Sequence, residues 1–213
     1  MCSSDLGEYP LDPSEAWLVI PRAAWDACLD SAAGRPRPRV AIAADASPDQ
    51  STGAIAVAGR LPGGRLLVEV PEGDHGPGVD WIVPRLLELK RAYRPCAIVI
   101  DPQGPAAGLI DAAVKVGIEV AKPSANDVAQ AFAQFHEAVT KEPRKLAHLG
   151  QPMLAVALAG SARRDVGDGG FAWARRHAAV DISPLVAATN ALWALDRFGG
   201  ASYDLLKSVA PPT

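Results

Sequence analysis

Residues Arg39 to Gly59 read RVAIAADASPDQSTGAIAVAG. Two apolar runs, Val40–Ala44 and Ala54–Ala58, flank a short polar segment holding Asp45, Ser47, Pro48, Asp49, Gln50, Ser51 and Thr52. Short apolar runs bounded by turn residues are the pattern of buried strands, and Ser-Pro-Asp is turn chemistry. The stretch therefore predicts a β-hairpin from the middle of a sheet. Its anomaly is Asp45, a carboxylate attached to the end of a run with no other charge. Burying it is costly unless something pairs with it. A divalent metal ion is a suitable partner, with the rest of the chain supplying the other ligands.

Downstream, Pro62-Gly63-Gly64 marks a second tight turn and Leu66–Val70 a third strand, so the first three strands form an antiparallel meander. Gly73 to Gly78 reads as a polar loop, and Ile82, Leu86, Leu89 and Tyr93 recur at helical spacing, with Pro84 placing the regular start near itself. Cys96–Ile100 is an apolar strand ending on Asp101, followed by the breakers Pro102, Gln103, Gly104 and Pro105. A helix over Ala106–Lys115 and a short strand Ile118–Ala121 imply parallel pairing through a crossover. Ser124 or Asn126 caps a helix striped by Val128, Phe132, Phe135 and Val139. Gln151–Ala162 reads as a further helix, Asp165–Gly170 as a turn, and Phe171–Arg176 as a short strand. Asp181-Ile-Ser-Pro opens a strong helix with Leu185, Ala188, Leu192 and Leu195 on one side, stopped by Gly199-Gly200.

Upstream, residues 1–36 read as a lead-in. Pro10, Pro13 and Pro21 interrupt it, Trp17, Ile20 and Trp25 are large apolar anchors, and Pro21 opens a short helix reaching Leu29. Gly34-Arg35-Pro36-Arg37-Pro38-Arg39 is a stiff basic connector. The main domain spans residues 37–200, and residues 201–213 form a flexible tail.

Three antiparallel strands, a helix, a parallel strand, further α/β elements and a closing helix make up the order of the ribonuclease H-like fold: a mixed α/β sheet flanked by helices. In such a sheet the first strand is central and the fourth lies beside it, so Asp45 and Asp101 become neighbours, with Asp181 packing across them from the last helix. Three converging carboxylates ask for Mg²⁺ or Mn²⁺. Two such ions about 4 Å apart activate a water and stabilise the leaving oxygen in phosphodiester hydrolysis. Structural alternatives stand beside each assignment. Asp45 closes an Asx turn, Asp101 starts a turn before Pro102, or Asp181 caps a helix, although Ser183-Pro184 already supplies a good helix start.

Composition narrows the classes. At 213 residues and 49% hydrophobic the chain suits one domain with a real core, and no apolar run approaches a membrane span. The N-terminus lacks the basic start and apolar centre of a signal peptide. Cys2, Cys28 and Cys96 form no CxxC pair and fit a reducing interior. A net charge of −3 leaves any nucleic-acid contact to local basic clusters, namely Arg163-Arg164, Arg175-Arg176 and Lys141/Arg144/Lys145. His75, His136, His148 and His177 show no metal-binding spacing, and no Gly-rich turn ends in GK[ST], which argues against ATP hydrolysis by this chain.

The segment FAWARRHAAVDISPLVAATNALWAL closely resembles the end of the nuclease domain in the large terminase subunit of tailed bacteriophages, most clearly from Asp181 to Thr189. AIAADASPDQSTGAIAVAG resembles that family's first hairpin and AIVIDPQG its fourth strand, so the resemblance covers roughly residues 37 to 198. Trp17–Leu29 resembles the region joining the family's packaging motor to its nuclease. The resemblance implies a metal-dependent endonuclease that cuts concatemeric viral DNA during packaging in the host cytoplasm. It also implies Asp45, Asp101 and Asp181 as catalytic metal ligands, and Asp49 as an auxiliary acid. The implied partners are double-stranded DNA, a terminase ATPase domain, the small terminase subunit and the portal, with no membrane. The motor's phosphate-loop motif is missing here. Two alternatives remain: a resolvase- or transposase-type nuclease of the same fold, and a catalytically idle docking module for the motor or portal.

Overall fold

The computed structural model describes residues 17–178 and 180–200; the expected tail and the first part of the lead-in lie outside the described residues. The decisive hairpin forms as its pattern dictates. Strand β1 (Ala41–Ala46) runs antiparallel to β2 (Thr52–Arg60), in register from Ala41↔Ala58 to Ala46↔Gly53. Asp45 therefore lies inside the strand, opposite Ala54, and closes no turn. That task falls to Asp49, whose Oδ1 accepts from Ser47 Oγ, Ser51 N and Ser51 Oγ at 2.7–3.1 Å. β3 (Leu66–Glu69) continues the meander against β2.

A second short strand, β4 (His75–Pro77), pairs with the other end of β2, within the segment expected to be a polar loop. Three residues containing Gly and Pro carry no alternating pattern, so their strand state depends on the edge that β2 offers. Helix α2 (Ile82–Tyr93) starts ahead of Pro84, which sits in the first turn where its missing N–H has no helical partner to lose. Next comes β5 (Ala97–Ile100), parallel to β1 with Ala44 opposite Ile100, then α3 (Ile110–Lys115) and β6 (Val120–Ala121), parallel to β5.

Helix α4 (Ala125–Thr140) is capped by Ser124 in a reciprocal box with Asp127. β7 (Leu146–His148) directly follows the basic cluster Lys141/Arg144/Lys145 and pairs in parallel with β3. Helix α5 (Pro152–Ala159), the separate hairpin β8 (Arg163–Val166) and β9 (Gly170–Trp173), and helix α6 (Ser183–Phe198) follow within the described residues. Among the described residues, the main sheet has seven strands in the order β6-β5-β1-β2-β3-β7, with β4 on β2.

Two cores flank this sheet. Ile42, Ala44, Ile55, Val57, Ile98 and Ile100 pack against α2 and α3, whereas Ala41, Ala43, Ala56, Ala58 and Val99 face α4 and α6. Alanine on the second face lets α6 approach closely, and α6 answers with Ala187, Ala188, Ala191 and Ala194. All thirteen residues from Ser183 to Leu195 are buried, so α6 is enclosed on every side where the sequence pattern implied one apolar stripe. The enclosure comes from α4 and α5, which cover the face turned away from the sheet.

After residue 17 the lead-in packs on this body. Helix α1 (Arg22–Asp26) buries Trp25, and Leu29 bridges to His148 at the sheet edge. The His148 ring stacks on Trp25 with centroids 3.8 Å apart. Its Nε2 donates to the Trp25 carbonyl (3.0 Å) and its Nδ1 accepts from Gly150 N (3.1 Å), a pairing that requires the neutral ring. Burial accordingly holds its pKa below the ordinary value. As pH falls below about 6.5 the unfolded chain takes up this proton first, so stability is lost through that window and is fully present above it. Thermal melts from pH 7.5 to 5 should show the wild type losing more stability than His148→Asn over the lower part of the range. Parallel pH profiles for the two proteins would contradict this account of His148.

Candidate metal centre

The pairing of β1 and β5 fixes the centre. Ala44 lies opposite Ile100 in parallel register, so the residues that follow, Asp45 and Asp101, stand side by side at the same end of the sheet. Alternation puts both on the α6 face, with Ala43 and Val99. Asp45 is 1% exposed and Asp101 4%. Burial pushes the Asp45 carboxyl up to about 6, against the pull of Arg175 and with a further push from Asp101.

Arg175 sits between the two carboxylates. Its Nε donates to Asp45 Oδ2 (3.2 Å), and its Nη2 donates to both Asp45 Oδ1 (3.1 Å) and Asp101 Oδ2 (3.3 Å). Burial opposes the guanidinium charge, but the two carboxylates outweigh it and raise the Arg175 pKa above its usual value. Asp101 Oδ1 accepts from Gln103 N (2.9 Å), so Asp101 also starts the turn that its proline neighbour suggested. Gly104 closes against the group: a Cβ there would lie 3.2 Å from both Arg175 Nη2 and Asp101 Cβ.

Asp181 makes a different set of bonds. Its Oδ2 pairs with His75 Nε2 (3.1 Å) and accepts from Ser183 Oγ (2.9 Å), and its Oδ1 accepts from Ser183 N (2.9 Å). The helix-start duty that Ser183-Pro184 had been expected to take over thus belongs to Asp181. Burial alone would raise the Asp181 carboxyl; His75 and Ser183 together hold it below its ordinary value. His75 lies opposite Ala54, which lies opposite Asp45, so His75 and Asp45 share a face and a row of the sheet. Two strand spacings separate their backbones, about 10 Å. Helix α6 runs back from here: its far end meets the start of β1 through Arg39 and Gly200, and the end of β2 through Arg60 and Asp196. Asp181 is therefore at the acidic end of the sheet, where the α6 N-terminus favours negative charge.

Of the three expected ligands the structure brings two into direct company, Asp45 and Asp101, and engages Asp181 with His75. Among the described residues, no three Asp, Glu, His or Cys side chains gather closely enough to hold a metal ion. The donor set of the pair nevertheless fits a hard divalent cation. Carboxylate oxygens from neighbouring strands converge on one position that already holds positive charge, beside a glycine where an added Cβ would be tight. Asp49 is turned into its own turn and exposed, and its hydrogen bonds hold its carboxyl down at about 2.

Sequence reasoning placed Arg175 only in a basic cluster and gave His75 no role, and only a topology that closes over them reveals their carboxylate partners. Arg164, Arg175 and Arg176 line a cavity of about 530 Å³ together with Pro48, Gln103 and Trp173. Arg163 instead stacks on Phe171, 4.2 Å from the ring centre, and Lys141 and Arg144 pair with Glu137 and Glu142.

An antiparallel meander whose first strand is central, a parallel partner beside it, and acids at the shared strand ends define a ribonuclease H-like domain. Among solved structures, the chain is similar to the large terminase of bacteriophage HK97, with a TM-score of 0.64 at 16% identity, over 83% of this chain and 43% of that one. It also matches the large terminase nuclease of thermophilic phage G20c, with a TM-score of 0.55 at 19% identity, over 77% of this chain and 84% of that one. A third likeness is to gp2c of the large terminase subunit of bacteriophage Sf6, crystallised with calcium, with a TM-score of 0.52 at 16% identity over 83% and 98% of the two chains. The G20c nuclease is also known with bound magnesium and with bound cobalt. No family model and no curated protein matches the sequence. The likeness shows the fold, that of large terminase nuclease domains, and this chain spans less than half the length of the HK97 protein. No helix among the described residues is long and apolar enough to cross a membrane.

The bonds of Asp181 set up a direct test. Asp181→Asn keeps an acceptor for Ser183 and a partner for His75, so its metal-free melting temperature should stay near wild type. Asp181→Ala strands the Ser183 N–H and should cost about 1 kcal/mol. If Asp181 is a third ligand, Mn²⁺ affinity measured by calorimetry falls in both variants. An Asn variant with wild-type Mn²⁺ affinity confines Asp181 to the helix start.

Proposed function

We propose that this chain is a metal-dependent DNA endonuclease domain of a phage terminase large subunit, with residues 37–200 as the nuclease unit and residues 1–36 leading in from a motor domain. The observation that carries this reading is the buried Asp45–Asp101 pair on neighbouring parallel strands, converging on one cation position. Asp45 and Asp101 would hold Mg²⁺ or Mn²⁺, with Asp181 as the third ligand. Once bound, two such ions supply an activated water and charge stabilisation for the leaving oxygen of a phosphodiester.

The chain's own residues set the rest. Arg164 and Arg176 line the cavity beside the acids, which supports a role for them in contacting phosphate. Gln50 ties the β1–β2 turn to the rim through Pro105, its Nε2 donating to that carbonyl at 2.8 Å. With a net charge of −3, contact through a few arginines makes recognition sequence-tolerant and strongly dependent on salt. Partners by resemblance are double-stranded DNA, the terminase ATPase domain, the small terminase subunit and the portal. The packaging role in the host cytoplasm belongs to the same reading.

One observation favours a second reading: Arg175 already bridges the pair and offsets one of its two negative charges, as it would in a docking module with no need of metal. Nicking of supercoiled plasmid with Mn²⁺ separates the two. The wild type should nick plasmids of unrelated sequence, and Asp45→Asn and Asp101→Asn should each reduce nicking by orders of magnitude. A wild type inert with Mn²⁺ and with Mg²⁺ would leave the docking reading standing.

A further inference from the structure

Three of the four carboxylate oxygens of Asp45 and Asp101 are engaged by one guanidinium, and the fourth, Asp101 Oδ1, is taken by Gln103 N. A divalent ion and a guanidinium cannot both sit about 3 Å from the same oxygens without strong like-charge repulsion in a buried site. Arg175 is also not fixed by the main sheet. It follows β9 of the separate two-stranded hairpin, on a short 3₁₀ turn spanning Arg175–His177, and it lines the adjacent cavity as well as touching the acids. A side chain with a buried anionic partner on one side and an open cavity on the other has two places to be.

We propose that Arg175 is an exchangeable counter-ion: it holds Asp45 and Asp101 together in the metal-free protein, and a divalent ion must displace its guanidinium to bind. Displaced, the side chain enters the cavity beside Arg164 and Arg176, where it adds a third positive charge for a phosphate group. This inference rests on the reading of the pair as metal ligands and adds to it a residue that tunes metal affinity from outside the ligand set. Arginine suits the role because its planar fork engages both oxygens of Asp45 through Nε and Nη2 while Nη2 also reaches Asp101.

The test uses Mn²⁺ alone, with calorimetric affinity and metal-free melting temperature as readouts, on wild type, Arg175→Gln, Arg175→Lys and Asp45→Asn. Arg175→Gln should melt lower without metal, because two buried carboxylates lose their cation. It should bind Mn²⁺ roughly tenfold more tightly than wild type and regain the wild-type melting temperature once loaded. Arg175→Lys should fall between the two. Equal or weaker Mn²⁺ affinity in Arg175→Gln overturns the proposal, since removing a cation that competes for the same oxygens must tighten binding. If Arg175→Gln does not fold without metal, refolding by Mn²⁺ together with tighter binding in Arg175→Lys supports it, and the failure of both overturns it. Binding lost in Asp45→Asn yet unchanged in both Arg175 variants refutes the counter-ion role alone. No Mn²⁺ binding in wild type or any variant removes the metal reading itself, and this proposal with it.

Discussion

Two buried carboxylates on adjacent parallel strands cannot both remain ionised without a cation between them, and Asp45 and Asp101 impose that demand on the whole molecule. The surrounding architecture makes their burial possible. Alanines along β1 and β2 let α6 lie close over the sheet, and α4 and α5 enclose α6 in turn. The parallel β1–β5 register then leaves no freedom in where the two acids meet. Removing either strand's register would separate the charges and also open the core beneath α6.

The positive side of the balance comes from outside the main sheet. Arg175, on the turn after the β8–β9 hairpin, spans the pair, and the hairpin is anchored by Trp173, whose Nε1 donates to Thr189 of α6 at 2.9 Å. Further along the same row of the sheet, His75 and Ser183 hold Asp181 at the start of α6. The acidic end of the sheet is thus divided into two neighbouring groups, one bridged by a guanidinium and one held by an imidazole and a helix start. Asp74, itself buried, forms a separate pair with the partly exposed Arg85 of α2, at 2.6 Å.

Much of this was legible in the chain. The apolar runs around Asp45, the strand ending on Asp101 and the closing helix after Asp181 carry local signals strong enough to order the elements, and the order implies that the first and fourth main strands are neighbours. What could not be read depends on contacts distant in sequence. β4 is a strand only because β2 extends past β3 and presents an edge. Arg175 reaches Asp45 across 130 residues, and His75 reaches Asp181 across 106, and neither pairing leaves a periodic trace. Asp49 shows the opposite failing: a carboxylate near a candidate site in sequence, with its hydrogen bonds directed wholly into its own turn.

The central claim is that Asp45 and Asp101 form one cation position, held by Arg175 in the absence of metal. Anomalous diffraction from a crystal soaked in Mn²⁺ tests it most directly. The account requires an anomalous peak between the two carboxylates, with the Arg175 guanidinium moved out of contact with them. A peak located elsewhere, or an unchanged Arg175 bridge with no peak beside it at saturating Mn²⁺, would contradict the account.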